Sequence, residues 1–144
     1  MDNIPNEHVE DLIIHKRERL MNIVYPTLSD MKGGDRVFQN ILIIDLINIS
    51  IWKIFNSKLK AFLKNNLSIG NRNYPEMTKK IFFVNAPYLF TGVWKFISIF
   101  MDKRTVKKAS ISSGPNTKEL LEYIDKSNLP KCLGGDCELP LGET

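Results

Sequence analysis

With 144 residues, 43% of them hydrophobic and 25% charged, the chain has enough apolar mass for one core and too much for a disordered polymer. Its formal net charge of +4 permits contact with an anionic surface, but the basic residues form no long run, which argues against nucleic acid as a partner. No segment reaches the roughly 20 apolar residues of a membrane-spanning helix, and the opening MDNIPNEHVEDL does not read as a secretory leader, so a cytoplasmic protein is expected.

Val9, Leu12, Ile13, Leu20 and Val24 recur at helical spacing and predict a helix over 7–24, ended by Pro26. His15, Lys16, Arg17, Glu18 and Arg19 read most simply as its solvated face, with a head-group role for Lys16, Arg17 or Arg19 as the alternative. Gly33-Gly34 marks a turn over 29–35. The β-branched run at 41–46 predicts a strand buried on both faces, as in parallel sheets. Asp45, near its end, reads as a cap for the following turn.

A second amphipathic helix is predicted over 51–65. Its apolar face is Ile51, Trp52, Ile54, Phe55, Leu59, Phe62 and Leu63, with Lys53, Lys58, Lys60 and Lys64 outward. A loop at 70–73 leads to a second strand at 80–84. After Asn85-Ala86-Pro87 comes an apolar helix over 88–101, in which only Thr91, Lys95 and Ser98 are clearly polar. Such a helix needs cover from the core, a partner, a lipid or a membrane surface. The cations that follow, Lys103, Arg104, Lys107 and Lys108, suit a phosphate-bearing head group. A third strand is predicted at 109–112. A last helix over 117–126 starts at a capping-box-like Asn116 and Glu119. The tail from Cys132 reads as loop. Strands alternating with helices imply an α/β fold with a small, mostly parallel sheet.

Catalytic signatures are missing from this pattern. No phosphate-binding Gly-rich motif, nucleophile elbow or zinc-protease helix occurs. His8 and His15 share one helix, and Cys132 and Cys137 read as reduced thiols, so neither a metal site nor an enzyme is expected. The triplets Asn48-Ile49-Ser50 and Asn66-Leu67-Ser68 read as chance glycosylation matches.

Several motifs in order resemble the CRAL-TRIO lipid-binding domain of the phosphatidylinositol-transfer type, over roughly residues 7–138. They are Tyr74-Pro75-Glu76, then Lys80-Ile81-Phe82-Phe83-Val84-Asn85-Ala86-Pro87, the apolar helix, and Asp102-x-x-Thr105-x-x-Lys108. Leu129-Pro130 and Gly134-Gly135 complete the set. Asp45-Leu46 fits too, with Asn48 where the family has Gly; Asn adopts the left-handed backbone at low cost.

The resemblance implies binding, and transfer between membranes, of a phospholipid in a hydrophobic pocket gated by the helix 90–101. It implies that Glu76, Thr105 and Lys108 hold an inositol phosphate head group. Ile43, Phe82, Val84, Phe90, Val93, Trp94 and Ile97 are the pocket and gate candidates. First-strand hydroxyls that serve phosphatidylcholine in the family correspond to Asn40 and Leu42, so phosphatidylinositol is the expected ligand. No cofactor beyond the phospholipid is expected, and the protein would be peripheral at membranes. The chain reads as one domain over 1–144 that lacks the family's N-terminal helical region and first strand; a second copy in a homodimer or another chain could supply the missing wall, or the wall is not supplied at all. The alternative is a protein-interaction or dimerisation module that keeps the fold without lipid exchange.

Overall fold

A computed structural model describes residues 6–49, 57–74 and 76–138. The chain begins with α1 (Asn6–Arg19), runs through a π-helical turn (Leu20–Val24), and continues directly into α2 (Tyr25–Met31). Pro26 therefore does not end the first helix, contrary to the sequence expectation. The Tyr25 N–H reaches back five residues to the Leu20 carbonyl, so the ladder is already widened where proline lacks its donor. Thr27 and Ser29 hydroxyls donate to the Ile23 and Tyr25 carbonyls in the same stretch. The rod stops at Gly33-Gly34. There Gly33 N–H bonds Asp30 and Gly34 N–H bonds Ser29, with both glycines at positive φ.

Three parallel strands follow: β1 (Asn40–Asp45), β2 (Thr78–Val84) and β3 (Ala109–Ile111), in the order β1-β2-β3. The strand buried on both faces is β2, where Ile81, Phe82, Phe83 and Val84 are all buried. β1 lies at an edge of this sheet and is only half-buried, with Leu42 exposed. Its apolar run is matched by one neighbouring strand rather than two.

Between β1 and β2 lies α3 (Ser57–Asn73). The first part of the helix predicted at 51–65, with Ile51, Trp52, Lys53, Ile54 and Phe55, lies outside the described residues, as do the side chains of Lys58, Leu59, Lys60 and Leu63, and Pro75. The predicted loop at 70–73 is helical instead. Gly70 within it packs close to α1, where a Cβ would stand 3.2 Å from Arg17 Nη2. The Asn65 amide donates to the Glu10 carboxylate and holds α3 against α1.

α4 (Phe90–Ser98) and α5 (Lys103–Lys107) connect β2 to β3. α5 starts on Asp102, whose carboxylate accepts from Arg104 N–H at 2.7 Å. The predicted helix at 117–126 shortens to α6 (Thr117–Leu120), followed by turns and a 3-10 segment at Lys126–Asn128. Its capping box does not form. Asn116 sits at φ +55 and its side chain caps no backbone N–H; its amide instead donates to the Glu119 carboxylate. The tail beyond is a further 3-10 turn, Lys131–Leu133, with Pro130 bridging to Cys137. Leu129 and Leu133 are fully buried.

The sheet separates two cores. On one face Ile81 and Phe83 pack with Leu46, Ala86, Phe90 and Val93. On the other Phe82 and Val84 pack with Leu120, Leu129 and Leu133. This is the period of two of a strand covered on both sides.

Candidate functional site

The first of these faces also floors a cavity of about 600 Å³. Leu42 and Ile44 of β1 and Ile81 and Phe83 of β2 form the floor. Ile13 and Leu20 of the first helical rod, Leu67 of α3, and Ile97 and Met101 at the end of the apolar segment supply apolar walls.

The polar groups gather where the strands begin. Asn40 is the first residue of β1, Glu76 lies just before β2, and Lys108 just before β3. Parallel strands bring these three starts side by side. Lys108 Nζ lies 2.7 Å from Glu76 Oε2 and also donates to the Thr78 carbonyl at 2.7 Å. Arg104 Nη1 stands 3.4 Å from the other Glu76 oxygen. The hydrogen bond from Lys108, with help from its charge, holds the Glu76 carboxyl below its ordinary range. Thr105, half-buried on α5, lines the same cavity. Glu76 adopts φ +60, a left-handed backbone that costs a non-glycine residue about 1–3 kcal/mol. The Gln39 side chain donates to its carbonyl at 3.0 Å.

Glu76, Thr105 and Lys108 therefore share one cavity wall. Of the apolar candidates, Ile97 lines the cavity. Phe90, Val93 and Trp94 belong to the core of the cavity face. The Phe83 ring lies 5.3 Å from Phe90 and 5.1 Å from Trp94, centroid to centroid. Ile43, Phe82 and Val84 instead face the opposite core, with Leu120, Leu129 and Leu133. Strand alternation puts Leu42, Ile44, Ile81 and Phe83 on the cavity side, and the sequence reading took the other phase. Arg17, whose alternative to a solvated face is a head-group role, lines the cavity, as does Met77, which carries no sequence signal for it and is buried at the cavity wall.

Asp45, at the other ends of the strands, accepts from Ile47 N–H at 2.9 Å and from the Asn85 amide at 3.0 Å. It closes the turn after β1, as expected. Asn48 in that turn adopts φ +59. Among the described residues no group of three His, Cys, Asp or Glu could hold a metal ion, and no helix is long and apolar enough to cross a membrane. Cys132 and Cys137 are free thiols.

A parallel α/β sheet whose one face floors an apolar cavity with a charged rim defines the class as an α/β ligand-pocket domain. Residues 4–135 match the model of the CRAL/TRIO domain, and the chain belongs to that family. It is 30% identical over 137 residues to phosphatidylinositol/phosphatidylcholine transfer protein SFH12 of Arabidopsis thaliana, covering 95% of this chain and 24% of that protein. It is 32% identical over 136 residues to the Sec14 cytosolic factor of Schizosaccharomyces pombe, covering 94% of this chain and 46% of that one. The crystal structure of Sfh5 superposes with a TM-score of 0.51 at 28% identity, covering 59% of this chain and 30% of Sfh5. The chain thus spans less than half the length of each of these relatives.

Proposed function

We propose that the chain binds a phospholipid, phosphatidylinositol in preference, in this cavity and passes it between membranes without catalysing a reaction on it. The observation that carries this reading is that Glu76, Thr105 and Lys108 meet at one wall of an apolar cavity of about 600 Å³. Lys108 would neutralise the lipid phosphate, Thr105 would hydrogen-bond it, and Glu76 would accept from inositol hydroxyls. The names of the relatives, a phosphatidylinositol/phosphatidylcholine transfer protein and a cytosolic factor, support a lipid carrier in the cytoplasm.

The cavity is of a size suited to a small-molecule ligand and encloses part of a diacyl lipid. Each buried CH2 contributes roughly 0.8 kcal/mol. The residues 90–101 serve in this reading as the gate. They line the cavity with Ile97 and Met101, and Ile99 on the same segment is 75% exposed. Just before it Tyr88 is 92% exposed, and Lys103 and Lys107 follow, a combination suited to brief contact with an anionic membrane surface.

The test is extraction of labelled lipid from vesicles. The chain should carry phosphatidylinositol into the vesicle-free fraction, and Lys108→Ala should lower that amount by about tenfold. Equal extraction by both proteins would remove the head-group assignment. No extraction by either would remove the lipid reading.

A further inference from the structure

Glu76, Thr105 and Lys108 leave one charged wall of the cavity unexplained. Arg17 comes from α1, and its guanidinium carbon stands 5.4 Å from the centroid of the Tyr74 ring. Gly70 makes room on another side, because a Cβ there would stand 3.2 Å from Arg17 Nη2. Arg17 Nη1 is closed off from solvent and has no hydrogen-bond partner. Among the described residues no ion pair is formed by Arg17. Its neighbour Glu18 accepts from the Tyr74 hydroxyl and the Asn22 amide. Burial accordingly lowers the Arg17 pKa from its ordinary value.

Charge over the whole cavity points the same way. Lys16, Arg17, Arg104 and Lys108 line it, against the single carboxylate of Glu76, which Lys108 and Arg104 already hold. A cation half withdrawn from water beside apolar walls, with no counter-ion among the described residues, is costly. An anionic group on a bound molecule offsets that cost. A quaternary ammonium meets the same field as repulsion, and the guanidinium already occupies the face of Tyr74 that could have received it.

We propose that Arg17 is the counter-ion for a phosphate or carboxylate of the bound amphiphile, and so selects acidic lipids over zwitterionic choline lipids in this cavity. The proposal rests on the lipid-binding reading above and adds a specificity residue to it.

The test loads the chain from vesicles doped, in separate arms, with phosphatidylinositol, phosphatidic acid, oleate or phosphatidylcholine, and counts bound lipid by mass spectrometry. Wild type, Arg17→Gln, Arg17→Lys and Lys108→Ala are compared, with folding checked by circular dichroism. The phosphatidic acid and oleate arms separate a phosphate from a carboxylate as the partner.

Wild type should prefer at least one acidic lipid over phosphatidylcholine by about tenfold or more. Arg17→Gln should lose that preference while Arg17→Lys keeps most of it. An Arg17→Gln protein with the wild-type ratio of acidic to choline lipid, still sensitive to Lys108→Ala, would overturn this proposal and leave the lipid reading intact. No lipid in any wild-type arm would overturn both. Should Arg17→Gln fail to fold, Arg17→Met serves in its place with the same two outcomes, and equal uptake of choline and acidic lipids by wild type contradicts selection by Arg17 in either case.

Discussion

At Glu119 three side chains converge. Lys80 Nζ lies 2.8 Å away, the Asn116 amide donates at 2.7 Å, and the Ser110 hydroxyl donates as well. They join β2, β3 and α6, and together they push the Glu119 carboxyl down to about 2. A carboxylate with a folded pKa below its unfolded one stabilises above the unfolded value and loses that contribution as pH falls through the folded one. Here the window runs from the ordinary 4.5 down to about 2. Glu119→Gln should destabilise the protein at neutral pH by about 1–2 kcal/mol and flatten the loss of stability across that window, measured by denaturant titration at several pH values. The Asn116 and Glu119 spacing was legible in sequence as a helix start. Lys80 and Ser110 were not, because nothing local announces partners on other strands. Arg17 was legible only as one of two readings for a related reason: a cation in a polar run looks solvated until Gly70 of α3 and Tyr74 just after it are packed against it.

The order of the three strands and of the main helices between them followed from periodicity and punctuation, while the short helix Lys103–Lys107 and the continuation of the first rod past Pro26 did not. What periodicity left open was phase. A strand apolar on both faces carries no mark of which face meets which helix, so Phe82 and Phe83 are equivalent until the connection through α4 is known. The phase is testable. Phe82→Leu and Phe83→Leu should each destabilise by about 1–2 kcal/mol, but only Phe83→Leu should change lipid extraction and Trp94 fluorescence, since Phe83 alone of the two touches both. The C-terminal turn was read as loop because glycine pairs commonly are. Its backbone is instead tightly held, and a Cβ on Gly135 would fall 1.8 Å from the Leu129 carbonyl oxygen. Gly135→Ala should cost at least about 2 kcal/mol by displacing Leu129 and Leu133 from the core, read as a drop in thermal midpoint. Pro26 shows the reverse case, where a strong breaker is absorbed by a π-helical turn upstream.

Across the whole molecule, the sheet divides labour between its faces. One face, with Leu120, Leu129 and Leu133, is apolar core. The other is part core and part cavity, and the charged groups stand at the starts of the strands. The segment 90–101 packs on that second face through Phe90, Val93, Trp94 and Ile97. The central claim is that this cavity holds an inositol lipid by Glu76, Thr105 and Lys108. Native mass spectrometry of the chain mixed with phosphatidylinositol and phosphatidylcholine liposomes, beside a Glu76→Ala/Lys108→Ala double variant, tests it most directly. The account predicts a one-to-one phosphatidylinositol adduct that the double variant loses. An adduct indifferent to both substitutions, or a lipid-free dimer in place of any adduct, would contradict it.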